Sequence, residues 1–446
     1  MLLSQSIKKV IFPENGLRFV HERRADKTKS FFAIYVNLGS ALENSKQKGL
    51  CHLVEHLMFK STTQHTALEI AKALEKYGAK VNAYTTFDGI CFHFSVLNEH
   101  FEKCFKIFAE MFLSKNITPA EFELEKNVVL QEYFMEQDDP AALCENAHYK
   151  QYFGLDPVIG FEKTIRSLTL GDVNNFIRTY FTPKNLILSA VTNTSHHKVK
   201  KLVKQCYVTK PNPLYAEDAD ELWEKYTQTK ASNRKDDTVS AVVAKTQHVF
   251  VQTTIPTTFT LPTLMYGPFL SILLSSGLSS VLFREVREKK GLCYGIHTTL
   301  DNFDEKHMFD FFGATFTVNT STEAKKLPEL LTTVNYVFNH LPELITPDDV
   351  ERTKNSIKSL YTSEDKYGIY NAINFDNKAI KKLDYCLKKI SKLTLNQVLK
   401  IYKQYVLSAG KITTYTTVYG PVKKKELTLL PKNVTVKLVK PINKKK

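Results

Sequence analysis

Two copies of one sequence pattern, about half the chain apart, constrain the fold of this 446-residue chain more than any other feature. The triplet Ile-Thr-Pro occurs at 117–119 and again at 345–347, and in both copies Lys-Asn follows seven residues after the proline. Leu-Thr-Leu occurs at 168–170 and again at 393–395. The offsets (345 − 117 = 228 and 393 − 168 = 225) are too long for a solenoid repeat and predict a duplicated domain.

Each copy mixes strand-like alternation with helix-like periodicity, without the regular succession of a βαβ fold, and this favours the α+β class. Hydrophobic content of 43% and charged content of 24% fit a globular protein. We therefore predict two homologous α/β-sandwich-like domains, produced by internal duplication and joined by a polar, proline-containing linker. The predicted parts are a first domain at 1–210, the linker at 211–240, a second domain at 241–432 and a basic C-terminal tail at 433–446.

Residues 49–58 read Gly-Leu-Cys-His-Leu-Val-Glu-His-Leu-Met and contain the pattern His-x-x-Glu-His. In a helix, with about 100° between residues, the apolar positions 50, 53, 54 and 57 form one core-facing stripe. His52 and His56 lie on the other side, one turn apart, so both imidazoles can reach one metal ion about 2.0–2.1 Å from each nitrogen. Glu55 lies between them and suits a general base that acts on a metal-bound water. Because the same residues could form a solvated surface, the prediction requires a third ligand.

The helix predicted to begin at Thr118-Pro119 offers that ligand. It carries Glu125 and Glu132, which are seven residues apart and therefore point in nearly the same direction. In the second copy the matching residues are Thr353 and Leu360, and no His-x-x-Glu-His is present there. Glutamates restricted to the copy that bears the histidines indicate function more than scaffold.

The alternative for this helix is a solvated stripe of glutamates, formed by Glu121, Glu125, Glu132 and Glu136. Against it, five apolar residues between 128 and 134 lie on several sides of the helix and predict that much of it is buried. A buried glutamate without a partner is unfavourable, so a binding role is the better prediction.

Segment 49–60 resembles the zinc-helix region of the pitrilysin, insulin-degrading enzyme and mitochondrial processing peptidase family of inverted-motif zinc peptidases. That family places its third ligand, a glutamate, about 70–80 residues beyond the second histidine; here Glu132 lies 76 residues after His56 (132 − 56). The resemblance implies that His52, His56 and Glu132 bind Zn²⁺ and that Glu125 supports them. It extends over nearly the whole chain and includes the duplicated halves.

Segment 277–294 resembles the C-terminal substrate-contacting segment of the same family, in which an arginine and a tyrosine lie near the scissile carbonyl. They map onto Arg287 and Tyr294, and a cation and a phenol suit a developing oxyanion. The alternative is that Arg287 pairs with Glu285 or Glu288 on a surface helix and that Tyr294 is a core residue.

Segment 82–85, Asn-Ala-Tyr-Thr, resembles the edge strand beside the zinc helix in this family. The resemblance implies that Asn82 and Ala83 bind substrate, because an unpaired edge can hold an extended peptide by main-chain hydrogen bonds. Because such pairing uses the main chain of the peptide and not its side chains, it predicts little preference for the sequence of the substrate. The alternative is an ordinary strand inside a sheet.

The function implied is a zinc-dependent endopeptidase that hydrolyses unfolded or short peptides through a Glu-activated zinc-bound water inside a dimeric clamshell. Half-length family members are dimers, so we expect a homodimer in which Arg287 and Tyr294 act in trans; a heterodimer with a motif-poor homologue is the second possibility. The functional alternative is a catalytically inactive or chaperone-like assembly subunit, which would usually lack a complete set of ligands.

Composition bears on location and on other partners. The net charge of +15 comes from 61 Lys and Arg residues spread along the chain, without a nucleic-acid motif, so we expect no nucleic-acid partner. The seven cysteines are scattered without a Cys-x-x-Cys pair, which favours a reducing compartment. Residues 1–6 lack signal-peptide features and no long uninterrupted apolar stretch occurs, so we expect a cytoplasmic protein without membrane insertion.

Overall fold

The computed structural model describes residues 7–25, 27–208, 219–229, 238–260, 262–301, 314–361, 369, 372, 383–429 and 435–439. The chain separates into two compact units, and neither is one continuous stretch. The first unit comprises Met1–Tyr133, Asp156–Ala231 and Thr362–Lys378, and the second comprises Phe134–Leu155, Ser232–Tyr361 and Ala379–Lys446. Each unit contains one six-stranded sheet with helices, so the predicted α+β class with two similar domains is confirmed.

The helices of the described residues are, in chain order, α1 (Leu50–Leu57), α2 (Ala67–Glu75), α3 (Phe101–Leu113), α4 (Pro119–Gln137), α5 (Pro140–Phe153), α6 (Glu162–Ser167), α7 (Leu170–Tyr180), α8 (His196–Val203), α9 (Ala219–Thr229), α10 (Tyr266–Ser275), α11 (Leu327–Leu344), α12 (Pro347–Leu360), α13 (Leu383–Ile390), α14 (Leu395–Tyr405) and α15 (Lys424–Thr428). Two short π-helical stretches lie at Lys204–Val208 and Phe283–Glu288. No helix of these residues is both long and apolar enough to cross a bilayer.

The sheet of the first unit has the strand order β1-β2-β6-β3-β5-β4. Its strands are β1 (Ile7–Ile11), β2 (Arg18–Arg23), β3 (Lys29–Val36), β4 (Lys80–Thr85), β5 (Ile90–Leu97) and β6 (Leu186–Thr192). Strands β1 and β2 pair antiparallel as a hairpin, across a turn in which Gly16 has a φ of 74°. Only glycine adopts that backbone region readily. At the other end of the sheet, β4 is an edge strand.

The apolar stripe of α1 determines which way its polar face points. Leu50, Leu53, Val54 and Leu57 are at most 1% exposed and belong to the core of the first unit. Helix α1 packs against β4 and α7. Since the two faces of a helix are fixed relative to each other, this burial turns His52 and His56 away from the core.

The sheet of the second unit has the order β12-β7-β11-β8-β10-β9. Its strands are β7 (Thr238–Val243), β8 (Val249–Pro256), β9 (Ile296–Asp301), β10 (Thr315–Thr322), β11 (Tyr415–Gly420) and β12 (Thr435–Val439). Five of its strands repeat the pairing of five strands in the first sheet. Each set of five contains one parallel pair, which is β2 with β6 in the first sheet and β7 with β11 in the second. The outermost strand differs, because β1 is antiparallel to its neighbour and β12 is parallel. The structure therefore repeats the topology that the sequence duplication predicts.

Helix α5 lies in the first half of the sequence but packs on the sheet of the second unit. The imidazole of His148 is within hydrogen-bond distance of the hydroxyls of Thr254 (2.7 Å) and Thr417 (3.1 Å). The phenol of Tyr152 contacts the carbonyl of Thr416 at 2.7 Å. The predicted domain bounds 1–210 and 241–432 stay a prediction. Helix α5 lies within the first predicted domain in sequence, but it belongs to the second compact unit in space.

The predicted linker at 211–240 contains α9, which packs within the first unit. Trp223 is 1% exposed, and its indole N–H donates to the carbonyl of Asn37 at 3.3 Å. Helix α2 buries Ile70 and Leu74, whereas Leu68 and Ala71 face solvent. This short surface helix therefore buries only a narrow apolar stripe.

Replacing His148 with glutamine should make unfolding less sensitive to acid. Burial lowers the pKa of His148 from 6.5 to about 3. The unfolded chain therefore binds a proton that the folded chain does not, and stability is lost as the pH falls from 6.5 towards 3. At about 1.4 kcal/mol per pH unit, this residue accounts for about 2–3 kcal/mol between pH 6.5 and pH 4.5.

We expect the difference in unfolding free energy between wild type and His148→Gln to shrink by about that amount between pH 7.5 and pH 4.5. Urea titrations at the two pH values measure it. A difference that is the same at both pH values would contradict the assignment of the acid sensitivity to His148.

Candidate metal centre

Three predicted ligands come together in the first unit. The Nε2 atom of His56 lies 3.4 Å from Oε2 of Glu132, and Nε2 of His52 lies 3.7 Å from the same oxygen. One ligand atom from each of the three residues falls within 4.8 Å of the others. In the part of the chain that the structure describes, this is the one group of three or more His, Cys, Asp or Glu residues that could hold a metal ion.

The donor set fits zinc. Tetrahedral zinc with ligands at about 2.0–2.1 Å places those ligands roughly 3.3 Å apart, close to the two nitrogen–oxygen separations found here. Two imidazoles and one carboxylate leave a fourth position open, as in catalytic zinc sites. Burial also lowers the pKa of His52 to about 4, which keeps that imidazole neutral and able to bind a metal.

The third predicted ligand, Glu132, is the most exposed of the group. The side chain of Glu132 is 50% exposed, whereas those of His52 and His56 are 12% and 23% exposed. Its hydrogen bond with His56 lowers the pKa of Glu132 and raises the pKa of His56. The site therefore has one side open to solvent.

Glu55 lies beside the histidines and is held by the edge strand. The hydroxyl of Thr85, the last residue of β4, donates to Oε2 of Glu55 at 2.5 Å. The residue is 9% exposed, and burial raises the pKa of Glu55 above its usual value. A carboxylate with a raised pKa in a fixed orientation suits proton transfer near neutral pH.

Glu125 lies behind the site, in contact with His56 and Lys60. Its Oε2 atom is 3.3 Å from Nδ1 of His56, and its Oε1 atom is 2.6 Å from Nζ of Lys60. The residue is 7% exposed. A carboxylate on the second nitrogen of a metal-binding histidine fixes the tautomer and the orientation of the ring.

The alternative of a solvated glutamate stripe on α4 is wrong. Glu121 bonds the backbone and side chain of Thr118, which caps the helix, and also the hydroxyl of Ser61. Glu136 accepts a hydrogen bond from Asn146. The expected burial of α4 is only partly found, however. Val129, Leu130 and Tyr133 are buried, whereas Leu124, Val128, Phe134 and Met135 are more than a third exposed.

Both ends of α1 are held by oppositely charged side chains. Glu43 accepts hydrogen bonds from the backbone N–H groups of Gly49 (3.0 Å) and Cys51 (2.6 Å) at the N-terminus. Lys115 donates to the carbonyl of Met58 at 3.0 Å just beyond the C-terminus. A carboxylate at the N-terminus and an ammonium group at the C-terminus both interact favourably with the helix dipole. Burial raises the pKa of Glu43 to about 7 and lowers the pKa of Lys115 to about 7.

Gly49, at the start of α1, is required by its backbone and by its surroundings. Its φ of 95° lies in the left-handed region, and a Cβ atom there would lie 2.5 Å from the carbonyl oxygen of Ile159. The roles of Glu43, Lys60, Thr85 and Lys115 were not predicted from the sequence. Of these, only Lys60 could have been found from the sequence, because it lies one helical turn after His56 and so on the same face.

Arg287 and Tyr294 lie together in the second unit. The guanidinium carbon of Arg287 is 5.2 Å from the ring centre of Tyr294 and 4.5 Å from that of Phe283. Tyr294 is 87% exposed, so the alternative that placed it in the core is wrong. Arg287 lies 3.8 Å from the carboxylate of Glu288, a loose contact on an exposed face.

Asn82 and Ala83 lie on β4, opposite His93 and Phe92 of β5. Among the described residues β4 has a strand neighbour on one side only, as the edge-strand prediction requires. The same strand ends at Thr85, which contacts Glu55. An unpaired strand edge and the metal centre are therefore neighbours within one unit.

Two family models match most of the chain. One, described as Insulinase (Peptidase family M16), matches residues 18–158, and the other, described as Peptidase M16 inactive domain, matches residues 167–357. The uncharacterized zinc protease YmxG of Bacillus subtilis is 26% identical over 403 residues, which cover 88% of this chain and 94% of its own length. An uncharacterized zinc protease of Mycobacterium leprae is 25% identical over 405 residues, 86% of each chain.

Solved structures show the same fold. A protease from Helicobacter pylori superposes with a TM-score of 0.75 at 21% identity and covers 94% of this chain and all of its own. A structure from Pseudomonas fluorescens, titled as a peptidase M16 inactive domain, has a TM-score of 0.74 at 16% identity and covers 94% of this chain and 98% of its own. At these identities the likeness concerns the fold alone.

Proposed function

Because the chain belongs to peptidase family M16, the insulinase family, we propose that it is a zinc-dependent endopeptidase that hydrolyses unfolded or short peptides. The observation that carries the proposal is the convergence of His52, His56 and Glu132 beside Glu55. The relatives named zinc proteases support the same activity.

In the proposed mechanism each residue has one role. Bound zinc would act as a Lewis acid on the water and on the scissile carbonyl. Glu55, aligned by Thr85, takes a proton from the attacking water and delivers one to the leaving amine. Arg287 and Tyr294 offer a cation and a phenol to the negative charge that develops on the carbonyl oxygen.

Substrate binding follows from the edge strand. An extended peptide that pairs with β4 through Asn82 and Ala83 would run along the strand that ends beside Glu55. Because the pairing uses main-chain atoms, we propose that the enzyme prefers extended, unfolded segments to particular sequences.

Cleavage-site mapping tests the proposed activity. The purified chain is incubated with a library of unfolded peptides, with zinc, with a chelator, and with zinc restored after the chelator. We expect internal cuts that the chelator abolishes and that zinc restores. Absence of cuts under all three conditions would favour the second candidate, an inactive or chaperone-like assembly subunit, although the complete set of ligands argues against it.

We also propose a homodimer in which Arg287 and Tyr294 of one subunit serve the metal centre of the other, with a heterodimer as the second possibility. Mixing Glu55→Gln subunits with Tyr294→Phe subunits tests this, because each variant alone lacks a complete site. If the residues act in trans, half of the dimers carry one intact site, and activity should return to about a quarter of the wild-type value.

The measurement is peptide cleavage after unfolding and refolding the mixed subunits, compared with each variant refolded alone. Size-exclusion chromatography checks that dimers form. Mixed subunits that dimerise but stay as inactive as the separate variants would contradict action in trans.

A further inference from the structure

The metal centre is connected to a lysine that no ligand motif includes. Lys60 Nζ lies 2.6 Å from Glu125 Oε1, Glu125 Oε2 lies 3.3 Å from His56 Nδ1, and His56 Nε2 lies 3.4 Å from Glu132 Oε2. The side chains of Lys60 and Glu125 are only 23% and 9% exposed. We propose that Lys60 is a positioning residue, which holds Glu125 so that Glu125 in turn presents His56 to the metal.

The backbone around Lys60 is fixed from three sides. Lys60 N–H donates to the carbonyl of Leu57 at 3.1 Å, which continues the last turn of α1. Lys115 donates to the carbonyls of Met58 and Lys60. The backbone N–H of the next residue, Ser61, donates to Glu121 at 3.1 Å. The ammonium group therefore extends from a fixed point to α4.

The geometry assigns one oxygen of Glu125 to each partner. With Lys60 on Oε1, the other oxygen remains for Nδ1 of His56. A carboxylate accepts hydrogen bonds only, so Nδ1 must carry a hydrogen. When a metal takes the place of the hydrogen that Nε2 shares with Glu132, the lone pair of the neutral ring lies on Nε2. Without the lysine, a nearly buried carboxylate loses its strongest partner and with it the reason to keep this orientation.

The inference deepens the proposed function and rests on it, because the metal in question is the proposed zinc. A simple charge effect makes the opposite prediction. A positive charge near a site for a divalent cation repels the metal, so its removal should tighten zinc binding. Positioning predicts that removing Lys60 weakens zinc binding, typically by about 10–100-fold for groups that orient a ligand.

The experiment compares Lys60→Gln and Lys60→Arg with wild type in the full chain. The zinc dissociation constant is measured by competition with a chromophoric chelator. We expect Lys60→Gln to raise it by about 10–100-fold and Lys60→Arg to restore most of the loss, since arginine can also donate to Oε1. Lys126→Gln is the matched control, because Lys126 pairs with Glu123 at 2.9 Å on the same helix as Glu125 and its side chain is 14% exposed.

Two further measurements separate positioning from general destabilisation. In a Glu125→Gln background, Lys60→Gln should have no further effect on zinc affinity, because the two residues act in series. In the zinc-free protein, at an alkaline pH that keeps the histidine rings neutral, ¹⁵N spectra of these rings should show the Nδ1–H tautomer of His56 in wild type and a mixture in Lys60→Gln. His56→Gln identifies the signal.

Zinc affinity that is unchanged or tighter in Lys60→Gln overturns the inference, and so does an equal loss in Lys126→Gln. A wild-type chain that binds no zinc overturns the proposed function; the tautomer of His56, which is read without metal, then still decides whether Lys60 orients the ring.

Discussion

Replacing Glu55 with glutamine is expected to lower kcat/KM for peptide cleavage by about 10²–10⁴-fold, the usual contribution of a general acid–base group, while zinc binding is retained. Glutamine has nearly the same shape and can still accept the hydrogen bond from Thr85, but it cannot take up a proton from water. Because the carboxylate of Glu55 is not one of the three atoms that converge on the metal position, its loss leaves the ligand set intact.

The measurement pairs cleavage rates on a mapped peptide with the zinc content of the same sample. Glu123→Gln is the matched control, because Glu123 lies on α4, is 59% exposed and pairs only with Lys126 among the ion pairs of the described residues. Full activity in Glu55→Gln would exclude the general-base assignment. Loss of zinc together with activity would instead make Glu55 part of the metal site.

The second large effect is expected for Glu132→Ala, which should lose zinc more completely than Glu125→Ala. Removing Glu132 leaves only two imidazoles of the three groups that converge on the metal position. Removing Glu125 leaves all three ligands but releases the ring of His56, which typically lowers metal affinity by about 10–100-fold.

Zinc content after dialysis and zinc dissociation constants measure both variants. The unfolding temperatures of the two variants provide an independent check, because here the larger effect is expected for Glu125→Ala. In zinc-free protein the replacement of the half-exposed Glu132 should barely change the unfolding temperature. Glu125→Ala leaves Lys60 without its partner in a nearly buried place and should lower the unfolding temperature. If Glu125→Ala instead loses more zinc than Glu132→Ala, the roles of the two glutamates must be exchanged.

The sequence was most informative where residues act through local spacing. The faces of α1 follow from helical periodicity, and both faces are found as predicted. The duplication predicted two similar domains, because matched triplets occupy equivalent helix starts: Thr118 and Thr346 each cap a helix through an acidic residue three positions on. Periodicity and capping are local signals, and a single sequence carries them in full.

Other contacts have no local signal. Glu43 and Lys115 hold the ends of α1 from a loop and from the connection between two helices, and neither position is periodic with anything it contacts. The outward apolar residues Leu124, Val128 and Met135 of α4 likewise could not be told from core residues by composition. Which side of an evenly apolar helix is buried depends on its tertiary neighbours.

The placement of α5 has a consequence for how the chain is made. His148 leaves the ribosome 106 residues before Thr254 and 269 residues before Thr417, the two hydroxyls that it contacts in the finished protein. At synthesis rates of about 5–20 residues per second, the later partner follows roughly 13–54 s after the helix. During that interval α5 has no sheet to cover, so the second unit can close only when nearly the whole polypeptide has been translated.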